Sequence, residues 1–191
     1  MHVPFPATRL LTAFSAICLT FLCFSIFPTL VIAKPPLRVV EAIVVKVSDG
    51  DTINVADKLG TKVKVRLYGI DAPETEKWNK RTRRVSKPGQ PNGDEAWKAL
   101  SGKVYHQRVR LDIMNVDKYK RLVCLVWLGK RNINKEMVEE GWAWAYKRYL
   151  DAPYTSEFLD GEDLARAARL GIWQQSNPEP PWVFRQLQKM K

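Results

Sequence analysis

Between Val39 and Leu67 the chain consists largely of short runs rich in β-branched residues broken by turn signals, and no other stretch limits the fold as strongly. Val39 to Val47 is rich in Val and Ile, Thr52 to Val55 resumes after Ser48-Asp49-Gly50-Asp51, and Thr61 to Leu67 follows Asp57-Lys58-Leu59-Gly60. Branched side chains suit a pleated surface, while Asp and Gly supply the local hydrogen bonds and permissive backbone of turns. Lys62-Val63-Lys64-Val65-Arg66-Leu67 alternates. A strand there gives Val63, Val65 and Leu67 to a core and turns Lys62, Lys64 and Arg66 to solvent or ligand.

Further strands are expected at Val109 to Ile113 and Arg121 to Leu128, flanking Asn115 to Lys120. Helices are expected at Asp94 to Gln107, at Asn134 to Glu140 before Gly141, and at Ser156 to Leu170 before Gly171. In the last of these Phe158, Leu159, Leu164, Ala165 and Ala168 are spaced to share a core face. Glu76 to Pro91, crowded with Lys77, Lys80, Arg81, Arg83, Arg84 and Lys87, reads as a polar loop. Five or so short strands with about three helices describe a mainly β, α+β domain: a small barrel with helical supports.

A chain of 191 residues accommodates one ordinary domain. Its net charge of +11 is the footprint of a partner rich in phosphate or of an anionic surface. Leu10 to Ile32 carries no charge, Arg9 precedes it, and Val31-Ile32-Ala33 offers small residues before Lys34. Residues 1–33 therefore read as a secretory signal peptide, with an uncleaved membrane anchor as the competing reading. The expected layout is a signal over 1–33, a domain over 34–174 and an extension over 175–191. Cys18 and Cys23 lie in the signal, so cleavage leaves Cys124 alone, with no disulfide and no cysteine zinc cluster. Within Leu122-Val123-Cys124-Leu125-Val126 it reads as a buried strand residue.

Phosphodiester hydrolysis needs a positioned water, a proton acceptor and positive charge at the phosphate. Asp51 and Asp71 follow strands, and their hard oxygens suit calcium or magnesium; the only histidines, His2 and His106, argue against zinc. Glu74 stands three residues after Asp71 with Pro73 between them, which places a candidate general base beside any ion that Asp71 binds. Arg66 precedes Asp71, Arg121 enters from the other hairpin, and a guanidinium can grip two phosphate oxygens. Each has a plain counterpart: Asp51 as turn chemistry, Arg66 with Glu74 as a surface ion pair, Arg121 as strand decoration.

Val47-Ser48-Asp49-Gly50-Asp51-Thr52, Arg66 through Thr75, and Asp117-Lys118-Tyr119-Lys120-Arg121 resemble the staphylococcal nuclease (thermonuclease) family in order and spacing. Val138 to Ala143 and Leu170-Gly171-Ile172-Trp173 match as well, so the resemblance spans roughly residues 38 to 174. It implies an OB-fold five-stranded barrel with three helices, and calcium-dependent cleavage of DNA and RNA with little base preference. By that pattern Asp51, Asp71 and the main-chain carbonyl of Ala72 bind calcium, and Glu74 orients or deprotonates water. Arg66 and Arg121 clamp the scissile phosphate, Lys118 and Tyr119 meet a terminal phosphate, and Tyr146 lies near base or sugar. Three departures stand out: Ala72 replaces Thr, Tyr119-Lys120-Arg121 lacks the glycine of the family's Tyr-Gly-Arg, and the Glu76 to Pro91 loop is longer and more basic than the family's best-known member carries.

The rival reading is an OB-fold binding module without catalysis, for which basic grooves and aromatic residues serve equally well. Three carboxylates beside a phosphate site would only repel its ligand, which favours the enzyme. A third reading, a basic face on anionic lipid, depends on the N-terminal segment remaining uncleaved. The expected product is a monomeric exported nuclease, periplasmic or extracellular, with nucleic acid as its partner.

Overall fold

In a computed structural model, which describes residues 33–190, the β-rich stretch is a meander of β1 (Arg38–Asp49), β2 (Thr52–Ala56) and β3 (Lys62–Leu67). The alternation in β3 is realised: Val65 and Leu67 are buried, Val63 is half-buried, and Lys62 and Lys64 are exposed. β4 (Ile70–Asp71), β5 (Lys77–Asn79) and β6 (Arg84–Lys87) follow, then α1 (Gly93–Val104), β7 (Arg108–Val116) and β8 (Leu122–Leu128). The chain ends through β9 (Arg131–Asn132), α2 (Ile133–Glu139), β10 (Trp144–Ala145), α3 (Tyr154–Ala167) and α4 (Pro181–Lys189), with short 3-10 turns at Lys147–Tyr149 and Gly171–Gln174.

The large sheet runs β3-β2-β1-β7-β8-β9, antiparallel throughout, and β3 then pairs in parallel with β8 through Val65 with Leu122 and Arg66 with Val123. That seam closes five strands into the expected OB-type barrel. Val44, Ile53, Val65, Leu111 and Leu125 are fully buried with Leu100 of α1, Met137 of α2 and Phe158 of α3, so helices cap what the strands leave open. Buried Asn134 ties α2 to the seam: its Oδ1 accepts from the Val126 N–H at 2.9 Å, and its Nδ2 donates to the carbonyls of Tyr68 at 2.9 Å and Cys124 at 3.0 Å. Cys124 is buried on β8, as read from the sequence.

Three expectations change. The 76–91 stretch carries a two-stranded hairpin of β5 and β6. α3 packs through Phe158, Gly161, Glu162 and Ala165, whereas Leu164 is 70% exposed and Ala168 is also exposed. The extension after 174 is docked: Trp182 of α4 packs against a second apolar cluster of Trp144, Ala165, Ile172 and Trp173, so four α-helices replace three. Among the described residues no helix is long and apolar enough to cross a membrane. The segment read as a signal, with Cys18 and Cys23, lies outside the described residues apart from Ala33.

Candidate active site

Asp51 lies in the tight β1–β2 turn, and the pairing of Thr52 with Arg66 brings β3 alongside it. Gly50 lets the next segment approach: a Cβ there would lie 2.7 Å from Ala72 Cβ and 2.8 Å from Ala96 Cβ. The Ala72 N–H accordingly donates to Asp51 Oδ2 at 3.3 Å. Gly69, with φ of +75°, turns the chain between β3 and β4 where a side chain would strike Leu150. β4 then pairs with β10, Asp71 opposite Trp144, and the Tyr146 N–H donates to the Gly69 carbonyl at 2.8 Å. Tyr146 is thereby fixed beside the Asp71 strand although 75 residues separate the two in sequence.

Arg66 joins the two aspartates. Its Nη2 lies 2.8 Å from Asp71 Oδ1 and 3.0 Å from Asp51 Oδ2, while Nη1 donates to Asp51 Oδ1 at 3.2 Å. Burial would lower the guanidinium's proton affinity, but the charges of Asp51 and then Asp71 outweigh it and raise it. Burial also works against ionised Asp51; Arg66, with hydrogen bonds from Thr52 and Ala72, overcomes it and holds this carboxyl low. Asp71, wholly buried, is pushed up by burial, with Asp51's charge adding to it against the arginines. Asp49, two residues from Asp51, is driven by burial and by that neighbour from 3.8 to about 7.

Glu74 is held through its backbone. Its N–H donates to Gln90 Oε1 at 3.1 Å and its carbonyl accepts from the Gln90 N–H at 2.8 Å. Its carboxylate meets Lys87 Nζ at 3.4 Å and Arg185 Nη1 at 3.0 Å. Arg185 also grips Asp71 with both nitrogens, Nη1 to Oδ1 at 3.0 Å and Nη2 to Oδ2 at 2.6 Å. No sequence pattern points to Arg185, which lies in the extension beyond residue 174.

Arg121 makes none of these contacts. It borders a cavity of about 530 Å³ whose lining also includes Arg66, Lys118, Tyr119, Tyr146 and Arg148. Arg66 thus faces the aspartates on one side and this cavity on the other. Asp117 fixes Arg121, accepting from its Nε at 2.7 Å and its N–H at 3.0 Å. Lys120 takes the left-handed conformation, φ of +59°, that glycine would take more readily, so the turn closes without the family's glycine. Tyr119 is 68% exposed with Lys118 Nζ 5.1 Å and Arg121 Cζ 5.5 Å from its ring centre.

Among the described residues no three His, Cys, Asp or Glu side chains close into a metal cage. The carboxylates of Asp51 and Asp71 nonetheless converge on one nitrogen, Arg66 Nη2. Hard anionic oxygens that meet around one positive centre, with Ala72 beside them, fit calcium or magnesium and do not fit a soft metal.

Residues 64–175, more than half of the chain, match the family model described as staphylococcal nuclease homologue. Arg66, Asp71, Glu74 and Arg121 fall inside the match and Asp51 precedes it. An uncharacterized endonuclease of Haemophilus influenzae is 39% identical over 147 residues, 77% of this chain and 74% of that protein. The micrococcal nuclease of Shigella flexneri is 34% identical over 169 residues, 84% of this chain and 88% of its own. The thermonuclease of Staphylococcus hyicus is 35% identical over 132 residues, 68% of this chain and 73% of its own. Matched in its core segment and along most of the length of these relatives, the chain belongs to the staphylococcal nuclease family.

Proposed function

We propose that the protein is an exported, calcium-dependent endonuclease that hydrolyses DNA and RNA with little sequence preference, acting as a monomer. The observation that carries the reading is Arg66, bonded to Asp51 and Asp71 while lining the cavity that Arg121, Lys118 and Tyr146 share. Calcium held by Asp51, Asp71 and the Ala72 carbonyl would place positive charge against the phosphate and ease deprotonation of water. Glu74 takes the proton of the water that attacks phosphorus, and the bond to the departing oxygen breaks opposite it. Arg66 and Arg121 grip the non-bridging oxygens, where negative charge accumulates, and Arg121 also stands to assist the departing oxygen. Lys118 and Tyr119 hold a terminal phosphate and Tyr146 faces base or sugar. The names of the relatives support nuclease chemistry, and the net charge of +11 suits a polyanion. Purified residues 34–191 should degrade DNA and RNA with calcium and stop when a chelator is added. Intact substrate under every divalent metal, with binding retained, would leave the catalytically inactive binding module as the correct reading.

A further inference from the structure

Arg185 reaches the carboxylates from the far end of the chain, and its placement has several supports. Pro181 is buried, the Trp182 ring stacks on Tyr146 with centres 5.2 Å apart and planes 25° apart, and Trp182 also meets Trp144 edge-on at 6.4 Å. Gln90, which holds the Glu74 backbone, donates its Nε2 to the Glu179 carbonyl at 3.1 Å just before α4. One helix therefore brings a cation to Asp71 and Glu74 and an aromatic ring to the face of Tyr146.

The charge balance gives this contact a consequence. Asp51, Asp71 and Glu74 carry three negative charges, and Arg66, Arg185 and Lys87 oppose them at 3.4 Å or less. Both oxygens of Asp71 are engaged by Arg185. A divalent cation needs one of those oxygens and is repelled by a guanidinium on the same carboxylate. Because Arg185 is tethered, even a weak contact competes at a high effective concentration.

We infer that Arg185 sets the metal affinity of the centre: α4 and the cation compete for Asp71, and cation binding releases the helix from Asp71 and from Tyr146. This rests on the proposed metal reading. If the docked form holds nine-tenths of the population, apparent affinity falls about tenfold. By reciprocity, calcium loosens α4 as much as α4 weakens calcium.

The test is calcium titration by calorimetry on the chelator-stripped protein, without nucleic acid, comparing it with Arg185→Gln and Trp182→Ala. Both substitutions are expected to tighten calcium binding, Arg185→Gln by about tenfold or more. Trp182→Ala keeps Arg185 and all three carboxylates in the chain and removes only the aromatic anchor that holds the helix against Tyr146 and Trp144. Hydrogen exchange supplies the second readout: amides of residues 182–189 should exchange faster when calcium is added to the unsubstituted protein. Equal or weaker calcium binding in both variants overturns the inference, because Arg185 would then support Asp71 as a ligand. Calcium binding to none of the three proteins overturns the inference and the proposed metal reading together, whereas uniform binding to all three overturns the inference alone.

Discussion

Replacing Asn134 by alanine removes three hydrogen bonds from the place where the barrel closes. The Val126 N–H loses its acceptor and the Tyr68 carbonyl its donor, while the Cys124 carbonyl keeps the Tyr68 N–H at 2.7 Å. A buried polar group left without a partner costs about 1–3 kcal/mol, so two such groups cost about 2–6. Alanine's better helix propensity returns about 0.5 kcal/mol, which leaves a net loss of about 3.5 kcal/mol out of a typical 5–15. For a domain of this size the melting temperature should fall by about 10 °C. Urea unfolding followed by tryptophan fluorescence measures the loss directly. Asn134→Asp keeps the acceptor, forfeits both donated bonds and buries a charge facing two carbonyls, so it should be no better tolerated. A loss below about 1 kcal/mol for Asn134→Ala, with a normal m-value, would refute the view that this side chain pins the seam.

At the proposed centre, Glu74→Gln and Arg121→Ala should each reduce the cleavage rate by about two to three orders of magnitude while circular dichroism and melting temperature stay nearly unchanged. Near-normal turnover in either variant removes that residue from its role. Lys120→Gly relieves a left-handed backbone and should stabilise by up to about 1 kcal/mol, less what glycine gives back in chain entropy; destabilisation in urea unfolding would show that Lys120 is not strained. Asp49 binds its proton more tightly folded than unfolded, because burial and Asp51 raise its carboxyl from 3.8 to about 7. Its destabilising effect is therefore absent at low pH and grows as pH rises from about 4 towards 7. Asp49→Asn, compared with the unsubstituted protein in a chelator, should be neutral at about pH 4 and several degrees more stable at about pH 8. A melting difference that does not change with pH would sink that account.

What the sequence disclosed was mostly local. Asp51, Arg66, Asp71 and Glu74 fall within 24 residues, and turns and a strand register bring them together. Arg185 is 114 residues from Asp71 and 111 from Glu74, in an extension whose sequence carries no signal of where it packs. The hairpin at 77–87 was hidden because no glycine marks its turn; Arg83 adopts the positive φ of 51° instead. The α3 face was misread at Leu164 because the buried stripe passes through Gly161, which has no side chain to reveal it. It also includes Glu162, buried because its carboxylate accepts the Ala145 N–H at 2.6 Å. An apolar pattern cannot register either residue.

The parallel seam between β3 and β8 has a consequence for when the chain can act at all. The carboxylates and Arg66 come from one side of it, whereas Arg121, Lys118 and Tyr119 come from the other. Each half can form its own hairpins early, since those contacts are close in sequence, but pairing Val65 with Leu122 requires a loop of 57 residues to close. Before that step the two groups of proposed site residues have no fixed distance between them. Nuclease competence would then appear late and all at once, as a property of the finished barrel, and a chain halted short of it would be inert towards nucleic acid cleavage.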